Sequence, residues 1–310
     1  MRLFNFFFTL KLQPNKSIVK VMIEIKKYKS FAKIQLQNRW TVPVLMTLII
    51  GAILRLFSLP SDIHMLKELS SGAISQADNL NLSQLLNLIT QSSSGKSTFI
   101  DFILSLIELS VQFILTYGAI YVYIAMSRSP EQVPFSTFFE GLSNWSRGLL
   151  TGLYLLLRIF LWGLIAIPAV TVCVTLVTII NQNLSSEYAV AIVPIVLLLG
   201  MIPAFIKAFA YSQTYYLAVE YQNLPITEAL KLSIKLTDGH KMDIFLVWLS
   251  FIGWFLLGTI TFGIANLWIT PYVRMTMTNV YHALLKEALE NEKINPEDLK
   301  QECKENQEMD

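Results

Sequence analysis

Gly95, Lys96 and Ser97 form the triplet that closes a phosphate-binding P-loop. A P-loop also requires a glycine five positions before Gly95, and it lies between a buried strand and a helix so that backbone N–H groups surround the phosphates. Here position 90 is Thr, the preceding residues have helical spacing, and an apolar segment follows. We therefore interpret the triplet as part of a polar linker and predict no nucleotide site.

Arg274 is the charged residue whose position most suggests a binding function. It lies about 15 Å into the last apolar helix that the sequence predicts, at 1.5 Å per residue. An unpaired charge at that depth is costly, so its side chain should face other helices or water. Asn266, Thr270 and Tyr272 lie close by in sequence and form a candidate polar site with it. The simpler interpretation is hydrogen bonding between helices, and the alternative is a polar pathway or ligand pocket.

Four other charges lie near the ends of predicted apolar segments. Arg158 precedes one segment and Lys207 follows another, where long side chains can reach the membrane interface. Arg55 and Glu108 both lie towards the outer, non-cytoplasmic side of their predicted spans and could pair with each other. For these four residues we expect boundary or structural roles.

The sequence offers no constellation typical of an enzyme. Its two cysteines lie in different environments and its three histidines are scattered, so neither a disulfide nor a metal site is predicted. No Ser-His-Asp or Cys-His arrangement can be proposed. We predict no catalytic residue, no cofactor and no nucleic-acid partner.

The elements that position these residues are membrane helices. Of 310 residues, 54% are hydrophobic and 15% are charged, against about 25% charged in soluble domains. A bilayer core needs roughly 20 apolar residues of helix. The predicted fold is an all-α polytopic membrane helix bundle with about six transmembrane helices and additional interfacial helices. The apolar segments cover residues 40–59, 109–127, 159–180, 188–206 and 244–273.

The last of these segments is too long for one ordinary span. It contains Gly253, Gly258 and Gly263, with Thr259 and Thr261 among them. Glycines and β-branched residues near a helix end favour a turn, so we divide the segment near residues 261–263. The alternative is a single tilted helix about 45 Å long, which would give five spans.

Charge asymmetry predicts the orientation and the organisation of the chain. Residues 1–40 hold nine Lys or Arg and one acid, whereas residues 286–310 hold nine acids and four lysines. By the positive-inside rule both termini should be cytoplasmic, in a cell membrane. We divide the chain into a basic segment (1–39), a membrane bundle (40–285) and an acidic tail (286–310). Translation could begin at Met22.

Three segments outside the spans have helical patterns. Residues 18–36 carry apolar residues at helical spacing among lysines, which predicts a basic interfacial helix on an anionic leaflet, although a plain positive-inside flank explains the charges equally well. Residues 82–89 predict a second amphipathic helix. Pro225 is placed to open a third, and Gly239 is placed to end it.

Three consecutive blocks carry a family resemblance. They are IPAFIKAFAYSQTYYLAVE (202–220), EALKLSIKLTDGHKMDIF (228–245) and LSFIGWFLLGTITFGIANLWITPY (249–272), preceded by KSFAKIQLQNRW before the first span. With this order the chain resembles the bacterial integral-membrane family catalogued as domain of unknown function 975, over about residues 22–285. The resemblance implies a bacterial cytoplasmic membrane and a separate last helix at 264–285, but no reaction.

Two functional hypotheses follow. The first is a non-enzymatic membrane protein that acts in envelope or membrane organisation through helix and lipid contacts. The second is a small-molecule or lipid transporter with a polar site near Arg274.

Overall fold

The computed structural model describes residues 16–75, 99–164, 167–168, 171–172, 175 and 200–299. The P-loop-like triplet, the predicted helix at 82–89 and most of the predicted spans at 159–180 and 188–206 lie outside these ranges. Within them, every regular element is helical. The helices are α1 (Lys16–Leu36), α2 (Thr41–Ser75), α3 (Phe99–Arg128), α4 (Ser136–Ser143), α5 (Trp145–Leu164), α6 (Thr214–Glu220), α7 (Ile226–Leu236), α8 (Lys241–Leu249), α9 (Ile252–Ile260) and α10 (Asn266–Glu290).

Four stretches of the described chain are long and apolar enough to cross a membrane, as judged by length and composition. They belong to α2, α3 and α5 and to the consecutive helices α8 and α9, over Thr41–Leu59, Phe102–Arg128, Trp145–Leu164 and Lys241–Ile260. The structure thus confirms the all-α class predicted for a membrane helix bundle.

Two helices extend beyond the predicted apolar segments. The first segment ends at residue 59, and α2 continues from there as a helix to Ser75. The third span was predicted to begin at residue 159, but α5 already begins at Trp145. Arg147 and Arg158 both lie inside α5, and each has a partner that makes its position tolerable. Charge alone was therefore a poor guide to where this helix begins.

Helices α3 and α10 form the centre of the bundle. α3 packs against α2, α4, α5, α6 and α10, whereas α10 also contacts α1, α7 and α9. The largest fully buried side chains include Tyr117 and Tyr123 of α3 and Tyr281 of α10. α10 is not among the four apolar stretches, yet much of its length is buried, so a comparatively polar helix lies inside an apolar shell.

Glycines let α5 approach α3 closely. Gly148 and Gly152 are separated by one helical turn, which is the Gly-x-x-x-Gly spacing found where membrane helices meet. A Cβ atom at Gly148 would lie 2.7 Å from Cβ of Tyr117, and one at Gly152 would lie inside the ring of Phe113. The α3–α5 contact therefore depends on the absence of side chains at these two positions.

The predicted division of the last apolar segment is confirmed. α9 ends at Ile260, and α10 begins at Asn266. Gly263 has a φ of +87°, which glycine adopts without strain, and its N–H donates to the carbonyl oxygen of Gly258 at 2.8 Å. The side chain of Asn266 lies against Gly258, where a Cβ atom would clash with Oδ1. We call this reversal at residues 261–265 the turn end of the bundle.

Helix α1 confirms the predicted basic helix at residues 18–36, but its apolar stripe packs against protein. Ala32 and Leu36 are fully buried, and α1 lies along α10. Gln35 accepts a hydrogen bond from Nδ2 of Asn279 at 2.9 Å. Burial, with Glu24, Glu287 and Asp243 nearby, raises the pKa of Tyr28 to about 12, so this phenol stays neutral. We call this side of the molecule the α1 end.

Helix α7 also follows its prediction. It begins directly after Pro225 and ends at Leu236, and Gly239 follows with a φ of +86°. Leu230 and Leu236 are buried.

We expect Gly258→Val to destabilise the junction between α9 and α10, because the new side chain would displace Asn266. Overpacking of this kind costs about 1–3 kcal/mol. The thermal unfolding midpoint of purified protein in detergent measures it. Gly253→Val on the same helix is the matched control, since a Cβ there would have no atom of the described residues within 4 Å. Equal midpoints for the two variants would contradict the packing described here.

Candidate functional site

Polar side chains recur at every fourth residue along α10. They are Asn266, Thr270, Arg274, Thr278 and His282, and we call this series the polar track. Residues four apart on a helix follow one another along its surface. At a rise of 1.5 Å per residue, the track is about 24 Å long. It therefore runs most of the way from the turn end to the α1 end.

The turn end holds a cavity of about 760 Å³ between α2, α3 and the start of α10. Asn266 and Thr270 of the track line it, and so do Arg55 and Glu108. The structure thus brings these two predicted boundary charges into the same cavity as two residues of the candidate polar site.

Arg274 lies in the middle of the track, beside a second cavity of about 80 Å³. Thr47, Thr270 and Tyr123 also line this cavity. Thr47 and Thr270 line the larger cavity as well, so the two spaces are neighbours. A cavity of this size has room for several water molecules, and Thr47, Tyr123 and Thr270 offer them polar partners.

Tyr123 lines the same cavity as the guanidinium group of Arg274. The charge of Arg274 also acts on the hydroxyl groups of Tyr215 and Tyr216 on α6. Among the residues that the structure describes, no carboxylate forms an ion pair with Arg274. The hydroxyls of Tyr123 and Tyr215 are buried and have no hydrogen-bond partner in the described part of the chain, which costs about 1–3 kcal/mol for each unsatisfied group.

Tyr216 and Tyr281 connect Arg274 to the α1 end. Their rings stack with centroids 5.1 Å apart and an interplanar angle of 20°. The Tyr281 hydroxyl lies beside Glu220, whose Oε1 accepts a hydrogen bond from Arg128. Oε2 of Glu220 is buried and has no partner among the described residues. The polar environment thus continues from α10 to the end of α6.

A third cavity, of about 490 Å³, opens at the α1 end. It lies between α1, α3, α6 and α10, and Glu220 and His282 line it together with Arg128. Three cavities therefore follow one another along the polar track.

Ser127 and His282 form the only Ser–His contact in the described chain, with 2.8 Å between Oγ and Nε2. The Ser127 hydroxyl also lies 2.7 Å from the carbonyl oxygen of Ile124, which can only accept. The serine proton is therefore directed to Ile124, and Oγ of Ser127 accepts from His282 in the tautomer that carries the proton on Nε2. In that tautomer the histidine does not take the serine proton, as a hydrolytic dyad requires.

Arg147 fixes the helix that carries Tyr216 and Glu220. Its Nε donates to the carbonyl oxygen of Ala218 at 2.9 Å, and its Nη2 donates to those of Tyr221 and Leu224. The Tyr117 hydroxyl donates to the same Ala218 oxygen at 3.1 Å. These carbonyls lie at and just beyond the C-terminal end of α6, where a cation is favourable.

The other predicted residues lie away from the track. Tyr272 packs edge-on against Phe251, with centroids 5.3 Å apart. Arg158 donates to the Tyr154 hydroxyl at 3.0 Å from the exposed side of α5. Lys207 lies 4.5 Å from the ring centre of Trp162. The structure therefore groups Arg274, Asn266 and Thr270 and separates Tyr272 from them.

Sequence reasoning missed the partners that other helices supply to the track. Tyr123, Tyr215 and Glu220 are far from Arg274 in the sequence, and no local pattern connects them. His282 could have been found, because it continues the four-residue spacing from Asn266. Among the described residues, no three His, Cys, Asp or Glu side chains are grouped to hold a metal ion.

A comparatively polar central helix inside a shell of apolar helices places the chain in the class of membrane helix bundles. The family model described as "Protein of unknown function (DUF975)" matches residues 22–288, so the chain belongs to this family. The resemblance noted from the sequence is confirmed. No curated protein and no solved structure matches the chain.

We expect Arg147→Gln to lower the free energy of unfolding by about 3 kcal/mol, because hydrogen bonds from a charged donor to three carbonyls are lost. Chemical or thermal unfolding in detergent measures this loss. Arg158→Gln is the matched control, since it removes an arginine from the same helix whose hydrogen bonds reach only Tyr154. Equal losses from the two variants would show that Arg147 does not hold α6.

Proposed function

We propose that this protein is a non-enzymatic membrane carrier. It admits a small molecule or a lipid headgroup to the polar track along α10. One observation carries the proposal: three cavities follow the track, and buried polar groups beside it have no hydrogen-bond partner among the described residues. Helices that were joined only to one another would pair such buried groups across their contacts. Here the hydroxyls of Tyr123 on α3 and Tyr215 on α6 are left for water or a ligand.

The charges support an orientation for the carrier. Lys27, Arg128 and Arg147 lie at the α1 end, where the third cavity opens. Under the positive-inside rule, this end faces the cytoplasm and the turn end faces outward. The substrate would then move between the 760 Å³ cavity outside and the 490 Å³ cavity inside, in the cell membrane of a bacterium.

Cysteine accessibility tests the carrier. We replace Cys173 and Cys303 by Ser and introduce single cysteines at Asn266, Thr270 and Arg274. We expect a water-soluble thiol reagent to label these positions in intact vesicles, because they line the cavities. Met275→Cys is the control, since Met275 is fully buried on the same helix and should be protected. Uniform protection of all positions would refute the carrier.

A second candidate function rests on the outer face of α1. Ile34 is exposed there at 64%, Phe31 at the rim of the third cavity is exposed at 47%, and Lys26 and Lys33 are exposed as well. Apolar residues flanked by lysines are typical of helices that lie on an anionic leaflet. On this basis, the protein would organise the membrane through lipid contacts of α1, either alone or in addition to transport.

We expect a spin label at Ile34→Cys to lose contact with an aqueous nickel reagent and gain contact with oxygen in phosphatidylglycerol vesicles. The change should be smaller in phosphatidylcholine alone, because the lysines attract anionic lipid. A label at Asn223, exposed in the loop before α7, provides the control. If labels at both positions behave alike in both lipids, α1 makes no specific leaflet contact.

A further inference from the structure

We propose that the polar track binds an anion, through a phosphate or carboxylate group held by Arg274 and the tyrosine hydroxyls around it. This inference rests on the proposed function, since it names the chemical class of the ligand that the carrier admits. The sequence singled out Arg274 as a polar position, but only the structure shows which groups meet it.

The first argument is the balance of charge. The guanidinium group of Arg274 is always protonated and can only donate hydrogen bonds. It is half-buried within the bundle, and among the described residues it has no carboxylate partner. A buried cation requires a counter-charge or extensive hydrogen bonding. An anionic ligand supplies both, whereas a cationic ligand would be repelled.

The second argument is the supply of donors. Tyr123 is 99% buried and lines the cavity beside Arg274, and its hydroxyl has no hydrogen-bond partner among the described residues. Its neighbour Thr47 donates to the carbonyl oxygen of Pro43 at 2.8 Å and forms no hydrogen bond with the Tyr123 hydroxyl. The buried Tyr215 hydroxyl on α6 likewise has no partner among the described residues. A phenol donor and a guanidinium group on one cavity favour a ligand rich in acceptor oxygens, such as phosphate or carboxylate.

The third argument is the shape of the site. The cavity beside Arg274 has about 80 Å³, which suits a single small anionic group. It shares Thr47, Ile50 and Thr270 with the cavity of about 760 Å³ at the turn end. The anionic group therefore binds at Arg274, and the rest of a larger molecule extends into the larger cavity. The apolar part of that lining, which includes Leu48 and Leu54, can accept a hydrocarbon portion.

The same chemistry can come from a free anion or from the headgroup of a lipid. The two sources are separated by thermal unfolding of the full chain in a neutral detergent at constant ionic strength. One arm adds inorganic phosphate or acetate. The other adds short-chain phosphatidylglycerol, with short-chain phosphatidylcholine for comparison.

We expect at least one anion to raise the unfolding midpoint in a saturable way. Arg274→Gln should raise the half-saturating concentration at least tenfold, with Arg274→Lys between this variant and the parent. Tyr123→Phe should raise it several-fold, because it removes a donor with little change in shape. Tyr272→Phe is the matched control and should leave it unchanged, since Tyr272 packs against Phe251 instead.

Stabilisation by phosphate or acetate identifies a free anion, and stabilisation by phosphatidylglycerol alone identifies a headgroup. No saturable stabilisation by any of them, or equal half-saturation in the Tyr123→Phe and Tyr272→Phe variants, overturns the inference. The Tyr123 comparison holds even if Arg274→Gln fails to fold. If Thr270→Cys is labelled but no anion raises the unfolding midpoint, the anion-binding inference is wrong and the proposed carrier function stands. If all cysteines introduced along the track are protected, the carrier function itself is wrong.

Discussion

The solvation of Arg274 is the constraint on which the rest of the bundle depends. An arginine inside an apolar bundle is stable only where water, hydrogen-bonding side chains or an opposite charge replaces bulk solvent. α10 meets this requirement by facing tyrosine hydroxyls from α3 and α6 and by bordering a cavity. The outer helices provide the apolar surface that α10 lacks. Its central position therefore follows from its polarity.

A short helix connects this site to the α1 end. α6 carries Tyr215 and Tyr216 near Arg274, and it ends at Glu220, which pairs with Arg128. Because Arg147 and Tyr117 hold the C-terminal carbonyls of α6, the rotation of this helix is fixed. The separation of α3 from α5 is set by Gly148 and Gly152, so backbone packing also helps to position the ring of Tyr117.

The sequence was sufficient wherever the determining forces are local. The reversal after Ile260 follows from glycines and threonines, and α1 and α7 follow from their periodicity. The start of α5 was not predictable from charge, because Arg147 is accommodated by carbonyls from residues 218–224. The partners of Arg274 come from helices remote in the chain, so their arrangement depends on tertiary packing. Tyr272 is two residues from Arg274 in sequence but faces the opposite side of α10, because two successive helical positions together turn by about 200°.

The docking of α1 has a consequence for entry to the bundle. Tyr28, Phe31 and Gln35 of this helix line the cavity at the α1 end, opposite Glu220 and His282. The buried face of α1, with Ala32 and Leu36, cannot contact α10 and a leaflet at the same time. Rolling α1 outward onto lipid would therefore remove one wall of this cavity and break the hydrogen bond between Gln35 and Asn279. In that geometry the lipid composition of the adjacent leaflet would control how wide the cavity opens at the α1 end.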